Sequence, residues 1–166
     1  VDTYAKGFLT SNLLEYYDIL VVAAPSFSYT SHEMSAVCDF VMDGGRLSVV
    51  GGSDALTRFS NIGVGSESYF WAGVTGNITL HDVTRGIDSL HIFPSYRFFV
   101  TPPAISLVRD SKGLDETFLA VSEIGAGRVI AVDLSLLEDG KVSGSNNLKL
   151  ANNMIDWLKP VKFQHE

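Results

Sequence analysis

The sequence predicts an α/β three-layer sandwich: a mainly parallel sheet with helices on both faces and an antiparallel extension in the second half of the chain. Three observations carry this. Two short apolar runs rich in β-branched residues, Ile19 to Ala24 and Leu47 to Val50, enclose a segment with helical periodicity, the pattern of parallel strands joined by a helical crossover. Gly125-Ala126-Gly127 separates two further strand-like runs, the mark of a hairpin. A last periodic segment, Leu148 to Leu158, stops before Pro160.

Taken in order, Val1 to Tyr4 reads as the tail of a strand, and Thr10 or Ser11 as the cap of a short helix through Leu13, Leu14 and Tyr17. Only a remnant of a strand and helix precedes Tyr17, so the domain is expected to be cut at its amino terminus from a longer polypeptide. Ile19 to Ala24 is too short for a helix and reads as a strand buried on both faces, ended by Pro25. Thr30 and Glu33 stand in the T-x-x-E spacing of a capping box, where hydroxyl and carboxylate satisfy orphan amides, so a helix starts near Ser31. Its apolar stripe is Met34, Val37, Cys38, Val41 and Met42, and Gly44-Gly45 stops it. Leu47 to Val50 is the next buried strand. Parallel strands aim their carboxyl ends at one crevice, which places ligand sites at Pro25 to Ser28 and Gly51 to Asp54.

Ala55 to Gly76 has no clean period and is expected to be loops with one short helix. Its aromatics Phe59, Tyr69, Phe70 and Trp71 either fill core beneath a long loop or form a stacking platform for a sugar or peptide. Asn77-Ile78-Thr79 matches a glycosylation sequon, a pattern too frequent by chance to decide anything. His81 to Gly86 reads as a polar turn before the segment Ile87 to Phe93, which ends at Pro94. His91 has no second ligand at metal-binding spacing, and no metal or cofactor is expected. Phe98 to Thr101 and Ile105 to Val108 form short strands around Pro102-Pro103, and Phe118 to Ser122 pairs with Arg128 to Asp133 across the glycine turn. Ser145 is placed to cap the final helix, whose stripe is Leu148, Ala151, Met154, Ile155 and Leu158.

At 166 residues, with no internal repeat or linker, one domain over residues 1–160 followed by a tail at 161–166 is expected. A net charge of −7 without clustered Lys or Arg argues against nucleic acid as a partner. No apolar run reaches the roughly 20 residues of a membrane span, and the compartment stays open. The one cysteine, Cys38, excludes an internal disulfide and lies on a helical stripe, where it reads as a core thiol.

Three stretches resemble the class I glutamine amidotransferase-like superfamily, in particular its degenerate noncatalytic members. They are Tyr17 to Gly52, with the order strand, proline, capped helix, Gly-Gly, strand, glycine; HDVTRGID at 81–88, similar to an H-x-[IV]-T-x-G-[IV] turn; and GAGRVIAVDLS through NNLKLANNMIDWL, similar to the superfamily's closing strand and helix. Related domains occur in ThuA-like proteins, in an intraflagellar transport subunit and behind the subtilisin domain of some subtilases. The resemblance implies a flavodoxin-like sandwich. In catalytic relatives a G-x-C-x-G elbow presents the nucleophile and an H-x-E triplet after a late strand supplies the base. Aligned here, the elbow reads Gly51-Gly52-Ser53-Asp54-Ala55, with Ser53 in the nucleophile's place, and the base position reads Asp133-Leu134-Ser135. None of His32, His81, His91 or His165 takes that position. A serine without a positioned base is a weak nucleophile, so the expectation is a noncatalytic binding or assembly domain within a larger protein, the alternative being a hydrolase that uses Ser53. Ser26, Gly51, Gly52, Ser53 and Asp54 are the candidate ligand-binding residues. Other domains of the parent, a protein partner, or a small-molecule or sugar ligand are the expected partners.

Overall fold

Side chains on successive strand residues point to opposite faces, and this alternation divides the apolar residues of the sheet into two cores. The computed structural model describes residues 9–23, 28–65, 72–93, 96–112, 116–137 and 146–160. Its helices are α1 (Ser11–Leu14), α2 (Ser31–Met42), α3 (Asp54–Thr57) and α4 (Asn147–Leu158), with single 3-10 turns at Arg58–Ser60, Asp82–Thr84 and Leu134–Leu136. Its strands are β1 (Ile19–Ala23), β2 (Arg46–Val50), β3 (Ile62–Gly65), β4 (Gly73–Thr75), β5 (Leu90–Ile92), β6 (Arg97–Val100), β7 (Ile105–Arg109), β8 (Thr117–Ile124) and β9 (Gly127–Val132).

The main sheet runs β1-β2-β9-β8-β6-β3, with β7 also paired to β8, while β4 and β5 form a separate ribbon. β1, β2 and β9 are parallel neighbours; β8 runs against β9, β7 and β6. β3 in turn runs against β6, so β1, β2, β9, β7 and β6 share one direction and β8 and β3 oppose it. Leu47, Val49, Val129, Ala131 and Ala120 pack with α1, α2 and α3 on one face, whereas Val50, Ile130, Val132, Leu119 and Val121 pack with α4 on the other. This is a flavodoxin-like three-layer sandwich whose parallel strands continue into an antiparallel extension.

Several expectations need correcting. β1 is not buried on both faces: among the described residues it is the edge strand, and Val21 is 60% exposed. The stripe of α2 is rotated toward Glu33, Ala36, Val37 and Val41, leaving Met42 46% exposed and Cys38 half-buried. The stripe of α4 is Leu150, Met154, Trp157 and Leu158, with Leu148 and Ile155 both more than half exposed. In each helix several 3.6-period stripes were compatible with the apolar residues, and tertiary contact selected one. The stretch 55–76 holds two short strands, β3 and β4, which the glycines concealed. Asn146 stands at the start of α4, without a side-chain cap. Val1 to Tyr4, Tyr69 to Trp71, Ser145 and the tail 161–166 lie outside the described residues.

Other expectations hold. Thr10 caps α1, and Thr30 and Glu33 form the reciprocal box at α2, the Thr30 amide donating to Glu33 Oε2 at 2.8 Å and the Glu33 amide to Thr30 Oγ1 at 3.2 Å. These bonds to its ionised form hold the Glu33 carboxyl below the usual carboxylate range. Gly44 takes the left-handed conformation, φ 113°, that ends α2.

The carboxyl end of α2 sits directly on the β8–β9 hairpin. The Ala126 amide donates to the Met42 carbonyl at 3.0 Å, satisfying an orphan acceptor at the helix end, and Arg46 donates to the Ala126 and Gly44 carbonyls. A Cβ on Gly127 would lie 1.9 Å from the Val41 carbonyl oxygen, so only glycine permits this approach. Gly127→Ala is expected to destabilise the protein by about 3 kcal/mol through overpacking against fixed backbone, measured as a lowered urea midpoint; an unchanged midpoint would show that helix and hairpin separate freely. Burial, with a smaller contribution from Asp39, pushes the Cys38 thiol pKa up. Thiol reagents are therefore expected to label Cys38 more slowly in the native protein than in the unfolded chain at the same pH, and equal rates would refute the assignment.

Candidate functional site

The carboxyl ends of β2 and β9 are joined by backbone, the Gly51 amide donating to the Val132 carbonyl at 2.8 Å. Gly51 takes φ 90°, and the chain then turns through Gly52 into α3, with Ser53 as the N-cap residue. Ser53 itself is extended, φ −144°, and half-buried, and its hydroxyl makes no cap bond. The left-handed residue at this turn is thus a glycine two positions before the serine, which leaves Ser53 without the strained backbone of a nucleophile elbow. The Ser53 carbonyl accepts from the Leu56 amide and the Thr57 hydroxyl.

Asp54 does not cap α3. Its Oδ1 accepts from the Val64 amide at 3.1 Å and its Oδ2 from Arg58 Nε at 2.8 Å, so the carboxylate fastens β3 beside the helix start. Gly52 is also engaged. A Cβ there would lie 2.4 Å from Tyr96 Cδ1 and 2.7 Å from Val64 Cγ1, so the Tyr96 ring and β3 lie over the glycine where a ligand would approach its backbone. Ser26 lies outside the described residues.

Asp133 and Ser135, in the place of the H-x-E triplet, hold that cover down. Asp133 is fully buried; its Oδ1 accepts from the Ser135 amide at 2.9 Å and hydroxyl at 2.5 Å, and its Oδ2 accepts from the Tyr96 amide at 2.7 Å. Ser135 Oγ in turn accepts from the Phe93 amide at 3.1 Å. The two side chains anchor the half-exposed Phe93 and Tyr96 by charge-assisted and neutral hydrogen bonds. Among the described residues no histidine is hydrogen-bonded to Ser53. His32 is exposed in the first turn of α2, His91 lies on β5 beside Phe93, and His81 packs against Trp157 of α4. Nor do the described residues contain a cluster of three His, Cys, Asp or Glu placed to hold a metal.

Two shallow grooves lie elsewhere. One, about 330 Å³, runs between α1 and α2 past Leu14, Phe40 and Gly45, and the other, about 240 Å³, runs along Arg128 and Trp157. Neither includes Gly51 to Asp54. The closing motif of the chain serves packing: Asn147 donates to the carbonyls of His91 and Leu136, and Asn153 to those of Val83 and Arg85, fixing α4 at both places. The sequence places a turn at Gly51 to Asp54 after β2 and is silent on Tyr96, because nothing local in a tyrosine after Pro94-Ser95 records that it packs on a glycine more than forty residues earlier.

No family model and no curated protein matches the sequence. Solved structures do. The mmIFT52 N-terminal domain superposes with a TM-score of 0.77 at 17% identity, over 92% of this chain and 82% of that one. A ThuA-like protein from Bacteroides uniformis ATCC 8492 gives 0.62 at 16%, over 90% and 72%. Cytoplasmic protein STM3548 from Salmonella typhimurium gives 0.60 at 12%, over 92% and 76%. The fold is therefore one shared with the mmIFT52 N-terminal domain and a ThuA-like protein, two kinds of domain related to those that the three sequence stretches resemble. At these identities the likeness extends to fold alone.

Asp133→Ala is expected to cost about 2 kcal/mol, because it strips the acceptor from the buried Ser135 amide and from the partly exposed Tyr96 amide. Hydrogen exchange at Tyr96 should accelerate in that variant relative to residues in β2; unchanged protection there would mean that the carboxylate does not hold the cover.

Proposed function

We propose that this chain is a noncatalytic amidotransferase-like domain that acts in binding or assembly within a larger protein. The observation that carries the reading is the covered elbow: Tyr96 lies on Gly52, and the residues in the place of the base, Asp133 and Ser135, anchor that cover. Acyl transfer needs a nucleophile with a base in hydrogen-bond reach, and among the described residues no histidine is hydrogen-bonded to Ser53. The mmIFT52 N-terminal domain is, by its name, one part of a longer protein, which accords with a domain that works beside others.

The face at the carboxyl ends of the parallel strands is the proposed binding surface, with Ser53 and Asp54 as its polar side chains and Gly51 and Gly52 shaping the turn that leads into them. A protein partner or neighbouring domain suits it better than a small molecule or sugar, because the crevice a small ligand would fill holds Tyr96. Gly52→Val is a poor probe of this surface, since the added methyls would strike Tyr96 and Val64 and disturb the fold.

Two measurements test the reading. Hydrolysis of activated acyl esters is expected to be the same for the wild type and Ser53→Ala, and a turnover that depends on Ser53 would overturn it in favour of a serine hydrolase. Binding of the adjoining domains of the parent, supplied in trans, is expected to weaken at least about tenfold in Ser53→Arg, a loss of roughly 1.4 kcal/mol. Equal binding by a folded Ser53→Arg variant would move the functional surface elsewhere.

A further inference from the structure

His81 uses an imidazole where helix starts ordinarily carry Ser, Thr, Asp or Asn. It is extended, φ −156°, and its Nδ1 accepts from the Val83 amide at 3.2 Å at the start of the Asp82–Thr84 turn. Thr84 answers reciprocally: its Oγ1 accepts from the His81 amide at 3.0 Å and donates to the Thr79 carbonyl at 2.6 Å. An imidazole that accepts at Nδ1 carries its one proton on Nε2. A second proton has only Nδ1 to occupy, so the cap and the charged imidazolium exclude one another.

The turn that His81 caps is a load on α4. Val83 is fully buried in the α4-side core; the Val83 and Arg85 carbonyls both accept from Asn153 Nδ2 at 3.1 Å, and the Gly86 carbonyl accepts from Lys149 Nζ at 2.7 Å. The His81 ring meets Trp157 edge-on at 5.5 Å, and the Arg128 guanidinium lies over the same indole at 4.9 Å. The groove of about 240 Å³ lined by Asp82, Arg85, Arg128, Asn153, Asp156 and Trp157 is the seam between turn and helix.

We propose that His81 is a proton-operated latch: protonation at Nδ1 breaks the cap of the Asp82–Thr84 turn, loosens residues 81–86 from α4 and opens the seam along Trp157. The charged groups that act on the imidazole are Asp82 of its own turn, Glu123 of β8 and Arg128 of β9; Arg85 and, on α4, Asp156 line the adjoining seam, and Lys149 is held on the Gly86 carbonyl. Burial pushes the His81 pKa below its ordinary 6.5, while Asp82 and Glu123 pull it up and Arg128 pushes it further down. The folded protein thus favours the neutral ring. The stability held by the latch is fully present above the unfolded imidazole value of 6.5 and is lost as pH falls below it toward the lower folded value.

The test is hydrogen exchange at the Val83 and Thr84 amides, expressed as protection factors and followed with the imidazole NMR titration of His81. In the wild type the protection is expected to fall about fivefold, the worth of one cap, as the ring titrates. His81→Asn keeps a cap that cannot titrate, and its protection should stay level over the same range. His81→Ala should show the low value throughout. The proposal is overturned if His81→Asn loses protection in step with the wild type, or if the wild-type ring titrates while Val83 stays protected. The wild type and His81→Asn decide the matter even if His81→Ala does not fold.

Discussion

Everything in this fold hangs from β9, which has to satisfy a parallel ladder on one edge and an antiparallel one on the other while both of its faces are in core. Val129 to Val132 are fully buried, and they alternate between the two cores without interruption. A strand so placed tolerates no slip, because a shift of one residue would exchange its two faces and break both ladders together. Its two ends are fixed by different means. At the start, Gly127 admits the end of α2 to within van der Waals contact; at the finish, Asp133 turns its carboxylate back into the molecule and collects the Tyr96 amide.

That second end is where geometry bears on chemistry. Parallel strands deliver their carboxyl ends to a common crevice, and the crevice here exists in outline, with Gly51 bound to Val132 and α3 starting at Ser53. What fills it comes from the antiparallel extension. β3 reaches Asp54 through the Val64 amide, and Tyr96, entering β6, lies on Gly52. The same Asp54 carboxylate that would discourage an anionic ligand is spent on a backbone amide and an arginine. In the proposed reading the loss of chemistry is thus a matter of occupied space and committed polar groups as well as of missing residues.

What the sequence made legible follows the range of the interactions involved. The capping box at Thr30 and Glu33, the Gly44 stop, the hairpin at Gly125-Ala126 and the continuous apolar runs of β2 and β9 can be read from neighbours within a few residues. β3 was hidden because its glycines, Gly63 and Gly65, lower strand propensity, although Gly65 makes room for the Arg97 and Phe99 side chains across the pair. The faces of α2 and α4 were misread by part of a turn, since Met42 and Leu148 are apolar yet exposed, and only the position of the sheet decides which apolar residues it covers. At the candidate site the turn after β2 could be placed by pattern. Tyr96 could not, because its contact with Gly52 is a tertiary fact.

The HDVTRG turn shows how one motif serves fold and response through the same atoms. Thr84 and His81 cap each other, and the pair gives a short turn enough rigidity to present the Val83 and Arg85 carbonyls to Asn153. A serine or aspartate at position 81 would cap as well at neutral pH, so capping alone does not require an imidazole. The imidazole differs in two respects: its ring is wide enough to meet the Trp157 edge, and its acceptor atom is also its basic atom. The first ties the turn to α4 by packing, and the second makes that tie conditional on the proton. The turn lies on the face opposite α1, α2 and α3, with Val83 in the core that packs on α4.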